Sequence, residues 1–225
     1  MTRTQFEEEL ERIRTSLLEM TNFADRMLGD AMQSLVDDDL AKAVEVIEAD
    51  DELDALDLDI EQSCMRLLAL QQPLARDLRL IGTMLKIITD VERIGDHAVD
   101  IAKIARKLIR MEFTAPLMVD LPKMAAEVRR MLRDALAAFI NHSRELVDQV
   151  IAADDVVDDL FHQIRSDLHH LMQTKPKEVV QASYLLFVAQ YLERIADHAV
   201  NIAERVAYIE TAQLLQHPRA KRKAE

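Results

Sequence analysis

The sequence predicts an all-α protein: two tandem three-helix bundles, six long helices in all, related by internal duplication. Three observations carry that prediction. The first is composition. The 225 residues include three glycines, five prolines, no tryptophan and only 4% aromatics, so the core must be aliphatic, as in helical bundles. The second is the placement of Pro73, Pro116, Pro122, Pro176 and Pro218. Each stands where an amphipathic run starts or stops, since proline lacks the N–H needed to continue a helix. The third is a phrase the chain uses twice. Residues 90–102 read DVERIGDHAVDIA and residues 191–203 read YLERIADHAVNIA, with nine of 13 positions identical.

Helical periodicity between the breaks places the helices at about 4–36, 40–71, 75–111, 120–142, 144–173 and 177–212. Asp37, Asp38 and Asp39 can cap the second helix and Ser143 the fifth. Asp120, with Pro122 just inside, marks the start of the fourth. The stretch beginning at Leu35 aligns with that beginning at Phe139, and the doubled phrase aligns at nearly the same offset. Each repeat is therefore three helices, with short connections that favour antiparallel neighbours. We divide the chain into a first repeat over 1–113, a second over 118–213 and a basic tail over 214–225.

The formal net charge of −13 argues against a general nucleic-acid binder and suits a protein that collects cations or docks on basic partners. Cys64 is the single cysteine. It excludes an internal disulfide and a cysteine-based zinc site, and it falls on an apolar stripe as core filler. The charged N-terminus has no apolar leader, and no stretch reaches the roughly 18 apolar residues that span a bilayer. A soluble, cytoplasmic protein is expected.

Along the third helix, Met84, Ile87, Val91, Ile94, Gly95, Ala98, Ala102 and Ala105 share one face, the core face. Gly95 and Ala196 hold the same core position, where a small residue lets helices approach. Glu92, Asp96 and Asp100 lie beside that face and step four residues each time, drifting by roughly 40° per step towards solvent. Carboxylates so spaced repel one another. Either nearby cations such as Arg93 and Lys103 balance a solvated face, or the carboxylates converge on a hard metal ion. The second helix offers Asp50, Asp54, Asp57 and Glu61 along one flank. The second repeat offers Asp154 and Asp158 on its middle helix and Glu193, Asp197, Asn201 and Glu204 on its last. His97 and His198 point away from Glu92 and Glu193, which disfavours a shared ion, and are read as bridges to a neighbouring helix or caps of a polar interface. His162, His169 and His170 are read as solvent-facing.

Enzyme signatures are missing: there is no phosphate-binding glycine loop, no His-Glu-x-x-His and no Glu-x-x-His. Three readings stay open: a non-enzymatic regulator with metal-binding acidic surfaces, a metal-dependent enzyme acting on phosphate compounds, and a metal-free helical adaptor.

Taken with length and repeat order, the paired Glu-Arg-Ile-x-Asp-His-Ala-x-x-Ile-Ala phrases resemble the PhoU family of phosphate-transport regulators over about residues 5–212. The resemblance implies a cytoplasmic negative regulator of phosphate uptake and of phosphate-starvation signalling. Its partners would be a membrane sensor histidine kinase and the ATPase subunit of the phosphate importer. Membrane association would come only through those partners, and a homodimer is implied. So are metal ions of the Fe, Zn, Mn or Mg type. Residue by residue, the resemblance assigns one metal site to Glu92, Asp96 and Asp100, and a second to Glu193 and Asp197. Asn201 there stands in place of Asp100 and should make the second site weaker.

Overall fold

The structure, a computed structural model, describes residues 3–111 and 120–213. The first repeat comprises α1 (Arg3–Val36), α2 (Leu40–Glu48), α3 (Asp50–Gln71) and α4 (Ala75–Arg110). The second comprises α5 (Leu121–Asn141), α6 (Arg144–Thr174) and α7 (Val179–Thr211), with a 3-10 turn over Pro176–Glu178 leading into α7. Among the described residues there is no strand. The limit placed between residues 113 and 118 and the tail over 214–225 lie outside the described residues.

The six long helices are present, but the second is bent rather than continuous. Ala49 separates α2 from α3 while keeping right-handed helical angles (φ −72°, ψ −10°). Its N–H donates to Glu45 O at 3.0 Å, and its carbonyl accepts from Leu53 N at 3.3 Å. Asp50, Asp51 and Glu52 follow at once. Three acids are favourable in a first turn and unfavourable in mid-helix, so the chain begins a new N-terminus there.

The caps follow the side chains. Asp39 accepts from Lys42 N, and Ser143 accepts from Leu146 N at 3.3 Å. Asp120 holds the N-cap position of α5 without a side-chain bond, and Pro122 sits in the first turn. The core face expected for α4 is buried along its whole length, from Met84 to Ala105, and Cys64 is buried in α3. No described helix is long and apolar enough to cross a membrane.

The two repeats share one core instead of burying a seam each. Two antiparallel seams join them. In the first, α1 packs on α5: Arg14 reaches Ile140 O at 3.5 Å, and Arg129 grips Asp25 through both carboxylate oxygens at 2.7 and 2.9 Å. In the second, α4 packs on α7: Arg79 donates to Ile209 O at 3.2 Å, and Lys107 lies over the Tyr184 ring at 4.6 Å. Asp25 and Arg129 hold equivalent places in the two repeats. The halves therefore meet about a local twofold, and α4 is enclosed by α1, α2, α3 and α7.

Candidate metal surface

The doubled phrase lies at the middle of α4 and of α7, where each helix divides its duties by angle. Its Ile, Val and Ala letters are buried. Its first two acids in α4, Glu92 and Asp96, are half-buried and turned towards α3. Close packing of α3 on α4 depends on Gly95: a Cβ there would stand 2.0 Å from Leu53 Cδ2.

Across this contact, α3 presents Asp50, Asp54 and Asp57. Burial, then the charges of Asp54 and Asp96, raise the Asp50 carboxyl above the usual range. Burial, then Glu61 and Asp54, raise Asp57. Burial, then Asp96, raise Glu92, opposed by Arg93 and reinforced by Asp54 and Asp57. In all three the burial leads and neighbouring carboxylates add to it, as expected where like charges share a partly desolvated face. Arg93 offsets part of this, with Nε 3.3 Å from Glu92 and a terminal nitrogen 2.8 Å from Asp96. The Oδ1 atom of Asp57 is buried without a hydrogen-bond partner. An oxygen-only donor set with an orphaned carboxylate oxygen fits a hard cation in its chemistry. As the side chains stand, no three of His, Cys, Asp or Glu among the described residues are gathered closely enough to hold one.

The third acid of the stripe goes further. Asp100 drifts towards solvent as its spacing predicts, with its side chain 38% exposed against 25% for Glu92, and it also reaches the seam with α7. There burial, then the charge of Asp100, raise the Tyr191 hydroxyl, and Asp100 lies 3.7 Å from Lys103 Nζ. Asn201, its counterpart, donates to Asp90 Oδ1 at 3.2 Å across the same seam. The cumulative drift along a straight helix explains this. Two four-residue steps swing a side chain by roughly 80°, from the edge facing α3 past to the edge facing α7.

The histidines bridge the neighbouring helix, as their angle implied. His198 Nδ1 donates to Asp90 Oδ1 at 2.8 Å. His97 stacks on Tyr191 with ring centroids 5.4 Å apart and lies 5.8 Å from the His198 ring. Burial, then His198 and Arg194, push the His97 pKa down to about 4. Tyr191 and Asp90 hold equivalent positions and contact the histidine of the opposite repeat. Neither was singled out as a site residue in the sequence, where they appear only as non-identical letters of the repeated phrase. His162, His169 and His170 are exposed.

In the second repeat, Asp154 and Asp158 are half-buried on α6, and Glu193 and Asp197 are half-buried on α7, against which α6 packs. This surface differs from the first in its α6 residues. Where α3 has Asp57 and Glu61, α6 has Phe161 and Arg165, and the Arg165 guanidinium lies over the Phe161 ring at 5.7 Å.

An all-helical protein made of two fused copies of one three-helix unit, with a carboxylate face between the second and third helices, is the class this architecture defines. The comparisons give the class its name. The family model of the PhoU domain matches twice, over residues 17–105 and 121–206, and the chain belongs to the PhoU family. It is 38% identical over 214 residues to the phosphate-specific transport system accessory protein PhoU homolog of Clostridium acetobutylicum, covering 95% of this chain and 97% of that protein. It is 35% identical to the homolog of Pseudomonas aeruginosa, covering 95% and 88%. The crystal structure of PhoU from Pseudomonas aeruginosa superposes with a TM-score of 0.89 at 34% identity, covering 92% of this chain and all of that one. The crystal structure of the phosphate transport system regulatory protein PhoU from Streptococcus pneumoniae superposes with a TM-score of 0.86 at 28% identity, covering 94% and 100%.

Proposed function

We propose that this protein is a regulator of phosphate transport that acts by docking, and that the α3–α4 carboxylate face of its first repeat holds a hard cation. The observation that carries the regulatory reading is the match along nearly the full length of both chains to accessory proteins of the phosphate-specific transport system. On this reading it works in the cytoplasm as a homodimer. It binds the sensor histidine kinase and the importer's ATPase subunit, damping uptake and phosphate-starvation signalling when phosphate is plentiful. An affinity pull-down from phosphate-replete cells should recover at least one of the two; recovery of neither would overturn the docking reading. Turnover of phosphoesters by the purified protein with added Mn or Mg would replace it with the enzymatic one.

Asp50, Asp54, Asp57, Glu92 and Asp96 would hold the cation. It would offset the burial and mutual repulsion that raise the Asp50, Asp57 and Glu92 carboxyls. Rotation of the Arg93 side chain away from Glu92 and Asp96 would free their oxygens. The second repeat should bind more weakly. The reason lies in Phe161 and Arg165, which replace two carboxylates, rather than in Asn201, which is committed to the seam. In chelator titrations of metal-loaded protein followed by elemental analysis, Glu92→Gln should lose more metal than Glu193→Gln. Equal losses would remove the asymmetry.

A further inference from the structure

α3 carries apolar residues on two opposite faces. Leu53, Ile60, Cys64 and Leu67 point into the core. On the other side Ala55, Leu58, Met65 and Ala69 recur with Gln62 at alternating steps of three and four residues, the spacing of a helix-pairing seam. This second stripe is open to solvent, with Leu58 52% and Met65 56% exposed.

The duplication supplies an internal control. At the equivalent positions of α6 the chain has Asp159 for Ala55, His162 for Leu58, His169 for Met65 and Gln173 for Ala69, all exposed. The same helix in the same fold is therefore built with a polar outer face in the second repeat. The fold itself does not require the apolar stripe of α3.

The flanks of the stripe indicate what covers it. Asp54 and Glu61 border it on the α4 side, Glu52 and Asp59 on the α1 side. The whole helix has seven acids against one base, Arg66. A second copy of α3 would set acidic flank against acidic flank. A helix with an apolar stripe bordered by lysine or arginine would match both the spacing and the charge.

We propose that the outward face of α3 docks a cationic amphipathic helix of a partner protein. This deepens the docking part of the proposed function and rests on it. The test uses a synthetic probe, so its failure is distinguishable from a failed pull-down: the kinase and the ATPase could still bind through another face.

The probe is a fluorescein-labelled helical peptide with leucine at heptad core positions and lysine beside them, titrated with the full-length protein. A control peptide has glutamate in place of lysine. The lysine peptide should bind, and binding should weaken as salt rises. The glutamate peptide should not bind. The double substitution Leu58→His with Met65→His installs the second repeat's own residues, and retained thermal unfolding would show that it folds. It should weaken binding at least ~10-fold. Val156→His, at a 47% exposed apolar residue on α6, should leave binding unchanged.

Failure of the lysine peptide to bind, equal binding of both peptides, no effect of the α3 substitutions, or equal loss with Val156→His would each overturn the proposal. So would a concentration-dependent mass, by light scattering, that the α3 substitutions abolish, since that result assigns the face to a second copy.

Discussion

At the scale of single residues, the two repeats solve one packing problem in two ways. Gly95 sits under Leu53, where an added Cβ would meet Cδ2 at 2.0 Å. In the second repeat Ala196 takes the glycine's place and Val157 takes the leucine's, and both are fully buried. One methyl has moved from the middle helix to the last. Gly95→Ala alone should destabilise, because overpacking a tight core costs about 1–3 kcal/mol and outweighs the gain of about 1 kcal/mol in helix propensity. Adding Leu53→Val should recover most of the loss, since the pair then copies the second repeat. Gly82→Ala meets nothing within 4 Å and should stabilise by about 0.5–1 kcal/mol. Urea denaturation midpoints of the four proteins check all of this; a double variant no better than Gly95→Ala would refute the compensation. The small residue at 95 and 196 was visible in sequence from the core periodicity. Its trade with position 53 was not, because periodicity shows which face a residue is on and not which side chain it meets.

At the scale of helices, the seams show what a period can and cannot reveal. The core face of α4 followed from spacing, as did the turn of His97 and His198 away from the metal surface. The bend at Ala49 did not, because Ala49 keeps helical angles and the apolar period runs on through it; its mark is the run of acids at Asp50, Asp51 and Glu52, which periodicity does not read. The drift of Asp100 off the core face followed from its four-residue steps; its approach to Tyr191 did not, because with α7 packed on the far side of α4 a residue leaving one face also nears another helix. The seam now explains the letters at which the repeats differ. Exact repetition of the first phrase would set Asp90 against an aspartate at 201, and Asp100 against an aspartate at 191. The chain sets Asp90 against Asn201 and Asp100 against Tyr191, giving each end one carboxylate and one neutral donor. Asn201→Asp should therefore destabilise the protein by placing two carboxylates side by side with one donor lost. Asp90→Asn in the same chain should restore much of the loss, because the amide then donates in the opposite direction and His198 keeps an acceptor. A double-mutant cycle by thermal unfolding measures the coupling; additive effects would show that the pair does not communicate.

At the scale of the whole molecule, charge and stability are linked through the first repeat. Asp50, Asp57 and Glu92 bind protons more tightly when folded than the ordinary carboxylate does. Between the ordinary carboxylate pKa and these raised values, the native state holds more protons than the unfolded state. Their contribution to stability therefore falls as pH rises through that window, and at neutral pH the ionised cluster works against folding. His97 acts with the opposite sign. Its pKa is held down at about 4 against an ordinary 6.5, so its contribution is lost as pH falls through that interval. A cation on the α3–α4 face offsets the carboxylate penalty, and protons compete with it for the same oxygens. Added Mn or Mg should raise the unfolding temperature more at pH 7 than at pH 5, through preferential binding to the folded state. Glu92→Gln should behave in two linked ways: more stable than the parent without metal at pH 7, because one repelling charge is gone, and less stabilised by added metal. The effect of pH on His97 is common to both proteins and cancels in the comparison. An unfolding temperature that rises equally with metal in parent and variant would place the cation away from this face, and leave the raised carboxyls as a cost that the fold carries without it.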